Sequence, residues 1–336
     1  MILTFTLLLG SAAVIYMSCE YFVNGIEWAG LRLGVSKTAV GTVLAAFGTA
    51  LPESVVTFVA VVFGDTPAHK DIGVGAAIGG PLALATIAYA VVGLVFILDR
   101  KDDKNGTLLL PASTQTQLRR DQAWFMGIFV FKIALGLVAF AVKPWLGTLF
   151  LAAYGIYVWF EMRREHEGKA GGEAELEPLK LRPKDAQPST GWVLLQTSLA
   201  LVVIFLASQL FVHQLEAVGP WIGMPPQMVA LLLSPIATEL PEILNAVIWV
   251  RQGKQSLAFG NISGAMMIQA TVPSALGIIF TPWILSAASI WAAVVTMISI
   301  AGLYALLCRG ALSASRLSLF GMLYLVFAAG LLLLRS

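Results

Sequence analysis

The chain has 336 residues, of which 58% are apolar and 12% charged, and its mean hydropathy is +0.83, against roughly 25% charged residues in an average soluble domain. An apolar surplus of that size has to be placed in lipid, which excludes a water-soluble enzyme, and a net charge of +2 with three histidines argues against a nucleic-acid binder or a His-rich metal centre. Cys19 and Cys308 are too few for a disulfide framework, and each lies in an apolar run where a small buried thiol is expected.

A membrane span takes about 20 apolar residues. On that ruler the chain predicts ten spans: 2–26, 38–63, 72–98, 122–142 and 144–161, then 191–213, 227–250, 256–281, 283–307 and 313–334. The first has neither a basic n-region nor a clear small-residue cleavage site, so it reads as a retained span rather than a signal peptide. Between the two sets lies 162–190, with Arg163-Arg164-Glu165-His166-Glu167, the glutamates 173, 175 and 177, Gly171-Gly172 and three prolines. It reads as a flexible tether. Its acidic patch lacks the Asp-rich spacing of a calcium loop, and no large regulatory domain fits in it.

The loops set the orientation. Of the 21 Lys and Arg residues, 17 fall in loops on one side, only Lys70, Lys143 and Arg335 fall on the other, and Lys132 lies within the fourth span. One missed or invented helix would scramble that split. It predicts both termini outside and the linker in the cytoplasm. Since each half has an odd number of spans, the halves insert in opposite directions, the layout of an inverted-repeat transporter.

Such a repeat predicts matching interruptions in matching spans. Span two reads Gly48-Thr49-Ala50-Leu51-Pro52-Glu53-Ser54 and span seven Ala237-Thr238-Glu239-Leu240-Pro241-Glu242-Ile243, so Thr-x-Leu-Pro-Glu occurs twice. Pro52 frees the carbonyl of Gly48, and Pro241 that of Ala237. A freed carbonyl inside a bilayer needs a partner. A cation is one, and Glu53 or Glu242 supplies the charge that a hard ion such as calcium or sodium prefers. Thr49 and Thr238 each stand four residues before the glutamate and so share its helix face.

The span after each motif carries small residues at packing period: Gly75 with Gly79, and Gly260 with Gly264. Pro81 and Pro273 free the carbonyls of Ala77 and Gln269. A lone proline is ordinarily a kink and a lone small-xxx-small pair ordinarily means packing, but a carboxylate at mid-membrane is costly enough to mark function. Here two occur in the same five-residue frame.

At these residues the chain resembles the calcium/cation antiporter superfamily, which includes the sodium/calcium exchangers and is marked by two alpha-repeats on five-plus-five inverted spans. Motif-level similarity covers about 39–90 and 228–280. The resemblance implies an all-α polytopic membrane protein of ten transmembrane helices in two inverted five-helix repeats, 1–161 and 191–336, joined by the cytoplasmic linker 162–190. It implies a secondary cation antiporter of the cell membrane, not an enzyme, that exchanges calcium for sodium by alternating access. No cofactor beyond the transported cations is implied; the partners are inorganic cations and the bilayer, the sequence does not give the oligomeric state, and a monomer is consistent with it. Glu53 and Glu242 then correspond to the central ion ligands, Thr49 and Thr238 to their neighbours, and Gln269 to an Asn or Asp ligand of the second repeat, with the carbonyls of Gly48 and Ala237 alongside. Ala50 and Glu239 replace a serine of the first family segment, Gly80 and Ala265 a serine of the second, and Leu84 stands where an Asn is expected. Span three thus loses oxygens while Glu239 adds a carboxylate. Two alternatives follow: a proton in place of sodium as counter-ion, or a degenerate member that binds an ion without carrying it.

Other polar positions carry weaker expectations. Glu20, Asn24 and Glu27 read as a solvated interfacial face or a cation-attracting vestibule. Lys132 pairs with a carboxylate in the bundle or snorkels. His213 and Glu216 fit an exposed loop role better than metal binding. Trp145, Trp159, Trp192, Trp221 and Trp283 suit an aromatic belt. The motifs of intramembrane or soluble hydrolases, Gly-x-Ser-x-Gly, Gly-x-Gly-Asp and His-Glu-x-x-His, do not occur.

Overall fold

A computed structural model describes residues 2–32, 37–98, 110–139, 142–167 and 177–334, and the side-chain surroundings of all of these except 37–49 and 161–167. The described residues are all helix and connection. The helices are α1 (Ile2–Arg32), α2 (Lys37–Val62), α3 (Pro67–Leu98), α4 (Ala112–Gly136), α5 (Gly147–Glu167), α6 (Thr190–Ile222), α7 (Pro226–Arg251), α8 (Gln255–Phe280), α9 (Ala287–Cys308) and α10 (Ala314–Leu334). Among them α1, α3, α6, α7, α8, α9 and α10 are long and apolar enough to cross a membrane. The described part of α2 adds the shorter apolar stretch Ala50–Val62. α4 carries Arg119, Arg120, Asp121 and Lys132, which dilute its apolar face.

Local chemistry fixes the helix ends. Thr66 caps α3 by accepting from His69 N at 3.1 Å, with Pro67 in the first turn. α6 stops at Gly223, whose φ of 61° is the left-handed conformation that glycine adopts without strain. α4 stops where the Lys143 ammonium collects three carbonyls, donating to Val138 O at 2.6 Å, Trp283 O at 3.1 Å and Leu135 O at 3.2 Å. Lys143, expected in a loop, is thus a buried cap on a helix C-terminus, where positive charge is favoured.

Two layers differ in burial. Most of α3 and α8 is buried, whereas α1, α6 and α10 expose apolar faces such as Leu194, Leu199, Val202 and Leu206 of α6 and Leu325 and Leu333 of α10. A continuous exposed apolar face of this kind belongs in lipid. The central contacts are α3 on α7 and α2 on α8, while α1 lies along α6. The first of these depends on small residues: a Cβ at Gly79 would meet Pro235 Cγ at 2.7 Å and Leu231 O at 2.9 Å, and one at Gly75 would meet Gln227 O at 2.6 Å. Among the described residues, none lies within 4 Å of a Cβ placed at Gly260.

Part of the expected flexible tether is docked. Leu179 is fully buried with Trp28 and Val193. Trp28 Nε1 donates to Glu177 O at 3.0 Å, Asn24 Oδ1 accepts from Lys180 N at 3.0 Å and from Gln196 Nε2 at 3.0 Å, and Leu181 N donates to Gln196 Oε1 at 2.8 Å. Lys180 Nζ pairs with Glu20 at 3.1 Å, and the Arg182 guanidinium stacks 4.0 Å over Trp192. Asn24 and Glu20 therefore hold the strap 177–189 across α1 and α6 instead of forming a solvated face. Losing the two Asn24 bonds to the strap, Oδ1 from Lys180 N and Nδ2 to Glu177 O at 3.3 Å, costs about 2 kcal/mol, or roughly a thirtyfold rise in strap opening. Asn24→Ala is accordingly expected to speed tryptic cleavage at Lys180 and Lys184 by about that factor, read by mass spectrometry of the digest.

Three further expectations need correction. Trp283 is fully buried, not interfacial: its indole N–H donates to Lys132 O at 3.0 Å and its ring lies against Gly277. Cys308 is exposed at the end of α9. Lys132 is fully buried, and no carboxylate among the described residues pairs with it; its ammonium donates to Ala77 O at 3.0 Å and lies 4.7 Å over the Phe129 ring. Ala77 O is the carbonyl that Pro81 leaves without a helical partner, so the lysine supplies the missing donor.

Candidate cation site

The two Thr-x-Leu-Pro-Glu motifs meet in the middle of the bundle, on α2 and α7, framed by α3 and α8. α2 runs helical through Pro52. α7 does not run through Pro241: it breaks at Glu239 (φ −93°, ψ −3°), ending one helical piece at Thr238 and starting another at Leu240. Pro235 and Pro241 flank that break, each unable to donate to the carbonyl four residues earlier. The C-terminal carbonyls of the first piece, Ala237 among its last residues, thus end at the break, and an end of that polarity favours a cation.

Three carboxyls converge there. Glu53 is 1% exposed, and Glu239 and Glu242 are completely buried. Glu239 lies within electrostatic range of both Glu242 and Glu53. The Thr238 hydroxyl donates to Glu53 Oε2 and also lies 2.9 Å from Ser234 O. The Gln269 amide of α8 donates to Glu239 Oε1. Glu53 Oε1, Glu239 Oε2 and Gln269 Oε1 are buried acceptor oxygens with no hydrogen-bond donor among the described residues. Buried acceptors are ordinarily satisfied; a set of oxygens from carboxylates and an amide matches the donor preference of a hard cation.

The Thr238 hydroxyl, which bonds back to Ser234 O as a helical threonine does, also joins the two motifs through Glu53. Asn261 of α8 reaches the backbone of Glu242, donating to its carbonyl at 3.3 Å. The backbone of Gly48 and Thr49 is part of α2, but their surroundings lie outside the described residues.

The substitutions on α3 have a steric explanation. A Cβ at Gly80 would run into Gln269 Oε1 and lie 3.3 Å from Glu239 Oε1. The space that a serine side chain would take on α3 is occupied by an amide from α8. Leu84 begins a π-helical segment, Leu84–Ala88, and is buried in the apolar core. Ala265 is likewise buried without an oxygen to offer.

Sequence reasoning missed three groups near the site. Ser234, one turn before Thr238, has its side chain beside Glu53. Cys19 and Tyr16 of α1 lie within electrostatic range of Glu242, so α1 borders the cluster. Asp121 of α4, 1% exposed, accepts from Ser263 Oγ of α8 at 3.0 Å, and beside it Gln122 Nε2 donates to Tyr89 OH of α3 at 2.9 Å. A lone acidic residue directly after Arg119-Arg120 reads as loop charge, and nothing in the spacing separates it from one.

Comparison with known proteins agrees with this architecture. The family described as "Sodium/calcium exchanger protein" matches residues 3–163 and 192–334. A relative from Alkalimonas amylolytica, described as putative antiporter CaxA, is 26% identical over 298 residues, spanning 86% of this chain and 84% of that protein. Inner membrane protein YrbG of Escherichia coli strain K12 is 22% identical over 283 residues, with coverage of 83% and 80%. Among solved structures, the H+/Ca2+ exchanger CAX superimposes with a TM-score of 0.72 at 16% identity, covering 99% of this chain and 86% of that one. The sodium-calcium exchanger NCX_Mj superimposes with a TM-score of 0.58 at 19% identity, covering 98% of both. At these identities the two structures speak for the fold.

Proposed function

Because the chain belongs to the sodium/calcium exchanger protein family, we propose that it is a secondary antiporter that moves calcium across the membrane against sodium, at a site built from Glu53 and Glu242. The observation that carries this reading is the meeting of the two repeated motifs: three buried carboxyls, with three buried acceptor oxygens that no donor among the described residues satisfies. Two carboxylates neutralise one calcium, and the backbone carbonyls at the α7 break, with Thr238, complete an oxygen shell of the hard-cation kind. Thr49, Gly48 and Ala237 join the set on the strength of their places in the motifs, and Glu239 and Gln269 flank it as a bonded pair.

The wider reading places ten spans in two oppositely inserted five-helix halves, 1–161 and 191–336, with both termini outside and 162–190 in the cytoplasm. It is supported by the lysine and arginine distribution and by the matched positions of the motifs on α2 and α7. Sodium ions displace calcium when the site opens to the other side.

A second counter-ion has one observation in its favour. α3 offers Gly80 and Leu84 where oxygens would hold additional sodium ions, and Gln269 fills the gap beside Gly80. Protons need no such ligands, only a carboxyl that alternates between proton and cation.

Proteoliposomes loaded alternately with a sodium gradient and a pH gradient separate the two. Calcium uptake driven by outward sodium and indifferent to pH supports the sodium reading. Uptake that follows the pH gradient alone replaces it with the proton reading, and no uptake under either gradient from correctly inserted protein overturns both.

A further inference from the structure

We propose that His69, His213 and Glu216 form a binding site for a divalent transition-metal ion of the zinc class, at the end of the bundle where the start of α3 meets α6. The three side chains come from two helices that lie far apart in the sequence. Their ligand atoms all lie within 4.8 Å of one another.

Each part of the cluster is held in place for a local reason. His69 is the third residue of α3; its backbone N–H bonds to the capping Thr66, and Gly64 packs directly beneath its Cβ, so the ring has little freedom. It is 2% exposed. His213 and Glu216 stand three residues apart on α6 and therefore share a helix face. Their side is the more open one, Glu216 being 35% exposed.

The contact between His69 and Glu216 is the second observation that points to a ligand. Nε2 of His69 lies 2.8 Å from Glu216 Oε2, yet it is a buried nitrogen with no hydrogen bond of acceptable geometry. The two atoms are close without being aligned as donor and acceptor. Two ligand atoms directed at a common point have that relation. The His213 ring stands edge-on against His69 at 4.7 Å between centroids and 84° between planes, with one of its nitrogens within 4.8 Å of the ligand atoms of the other two.

The donor set selects the ion. Two imidazole nitrogens and one carboxylate oxygen suit zinc and its borderline neighbours, whereas calcium takes oxygen alone. This cluster therefore differs in chemistry from the all-oxygen site at mid-membrane. Three protein ligands leave a fourth tetrahedral position for water. With bonds of about 2.0–2.2 Å, ligand atoms of a tetrahedral site lie about 3.3 Å apart. The 2.8 Å pair has to open slightly and the wider pairs have to close, movements that the exposed His213 and Glu216 can make around the fixed His69. An ion held in this way ties α3, which packs on α7, to α6, which lies along α1. This inference stands on the cluster's own geometry and does not depend on the transport reading.

The test is zinc titration of the purified full-length chain, stripped with chelator, in the presence of saturating calcium and magnesium to occupy oxygen sites. One zinc per chain is expected, with X-ray absorption showing nitrogen and oxygen ligands at about 2.0–2.2 Å. His213→Ala and Glu216→Gln, both at partly open positions that leave the core intact, are each expected to weaken binding at least tenfold and to remove the rise in melting temperature that zinc produces in the wild type. Glu53→Gln, altered at mid-membrane, should bind zinc as the wild type does. Binding that is undiminished in His213→Ala would put the zinc elsewhere and overturn the proposal. So would the absence of saturable binding, which would leave the trio as an ion pair with a stacked ring.

Discussion

Glu53→Gln and Glu242→Gln are each expected to reduce calcium uptake into proteoliposomes to the level of empty vesicles. Both side chains are buried, and each substitution removes a full negative charge from a site where water contributes little screening. Taking one partner from a buried charge pair costs about 3–5 kcal/mol, or roughly a 140-fold loss of cation affinity at the lower end, since each 1.4 kcal/mol is tenfold. The amide keeps the shape of the acid, and an amide oxygen at position 53 can still accept from the Thr238 hydroxyl. Folding is therefore expected to survive, because an uncharged group is easier to bury than a carboxylate. Melting curves at or above the wild-type temperature, beside abolished flux, distinguish a lost ligand from a lost fold. Glu239→Gln is expected to do less, since one of its oxygens is already bonded to Gln269.

The second large effect is steric. Gly79→Val places a branched side chain against Pro235 and the backbone of Leu231, and neither can move aside without shifting α7 just before its break. Overpacking of a tight core typically costs about 1–3 kcal/mol, and here the obstacle is backbone, so the upper end is expected. The variant should lose monodisperse folded protein on size exclusion and lose flux with it. Gly260→Ala is the matched control. Its added methyl meets none of the described residues, and alanine improves helix propensity by up to about 1 kcal/mol. Flux within twofold of wild type is expected there. Equal damage from both substitutions would contradict the assignment of the α3–α7 seam.

The repeated Thr-x-Leu-Pro-Glu was legible because proline and a mid-membrane carboxylate each carry a physical cost wherever the chain folds. The membrane class and most helix positions were legible for the same kind of reason, since apolar length has one use, but the fourth span, expected over 122–142, is helix over Ala112–Gly136, its polar first turns hiding where it starts. What the sequence hid were relations between helices. Thr238 and Glu242 are neighbours by spacing, yet the Thr238 hydroxyl donates to Glu53, 185 residues away in the chain. Pro81 announced a carbonyl without a partner and Lys132 a buried ammonium, yet nothing in a separation of 55 residues joins Ala77 to Lys132. Gly80 reads as a lost ligand until Gln269 is seen in its place. The strap 177–189 has the composition of a tether, and only Asn24, Trp28 and Gln196 on other elements reveal that it is held.

The central claim is that one cation site is shared by the two motifs, and equilibrium calcium binding to the purified protein tests it most directly. Calorimetric titration of the wild type is expected to give one saturable calcium per chain, and titration of Glu53→Gln and Glu242→Gln, each from a different motif, to give none at the same concentrations. Calcium bound with unchanged stoichiometry and affinity in either folded variant would show that the two glutamates do not share an ion, and would contradict the account.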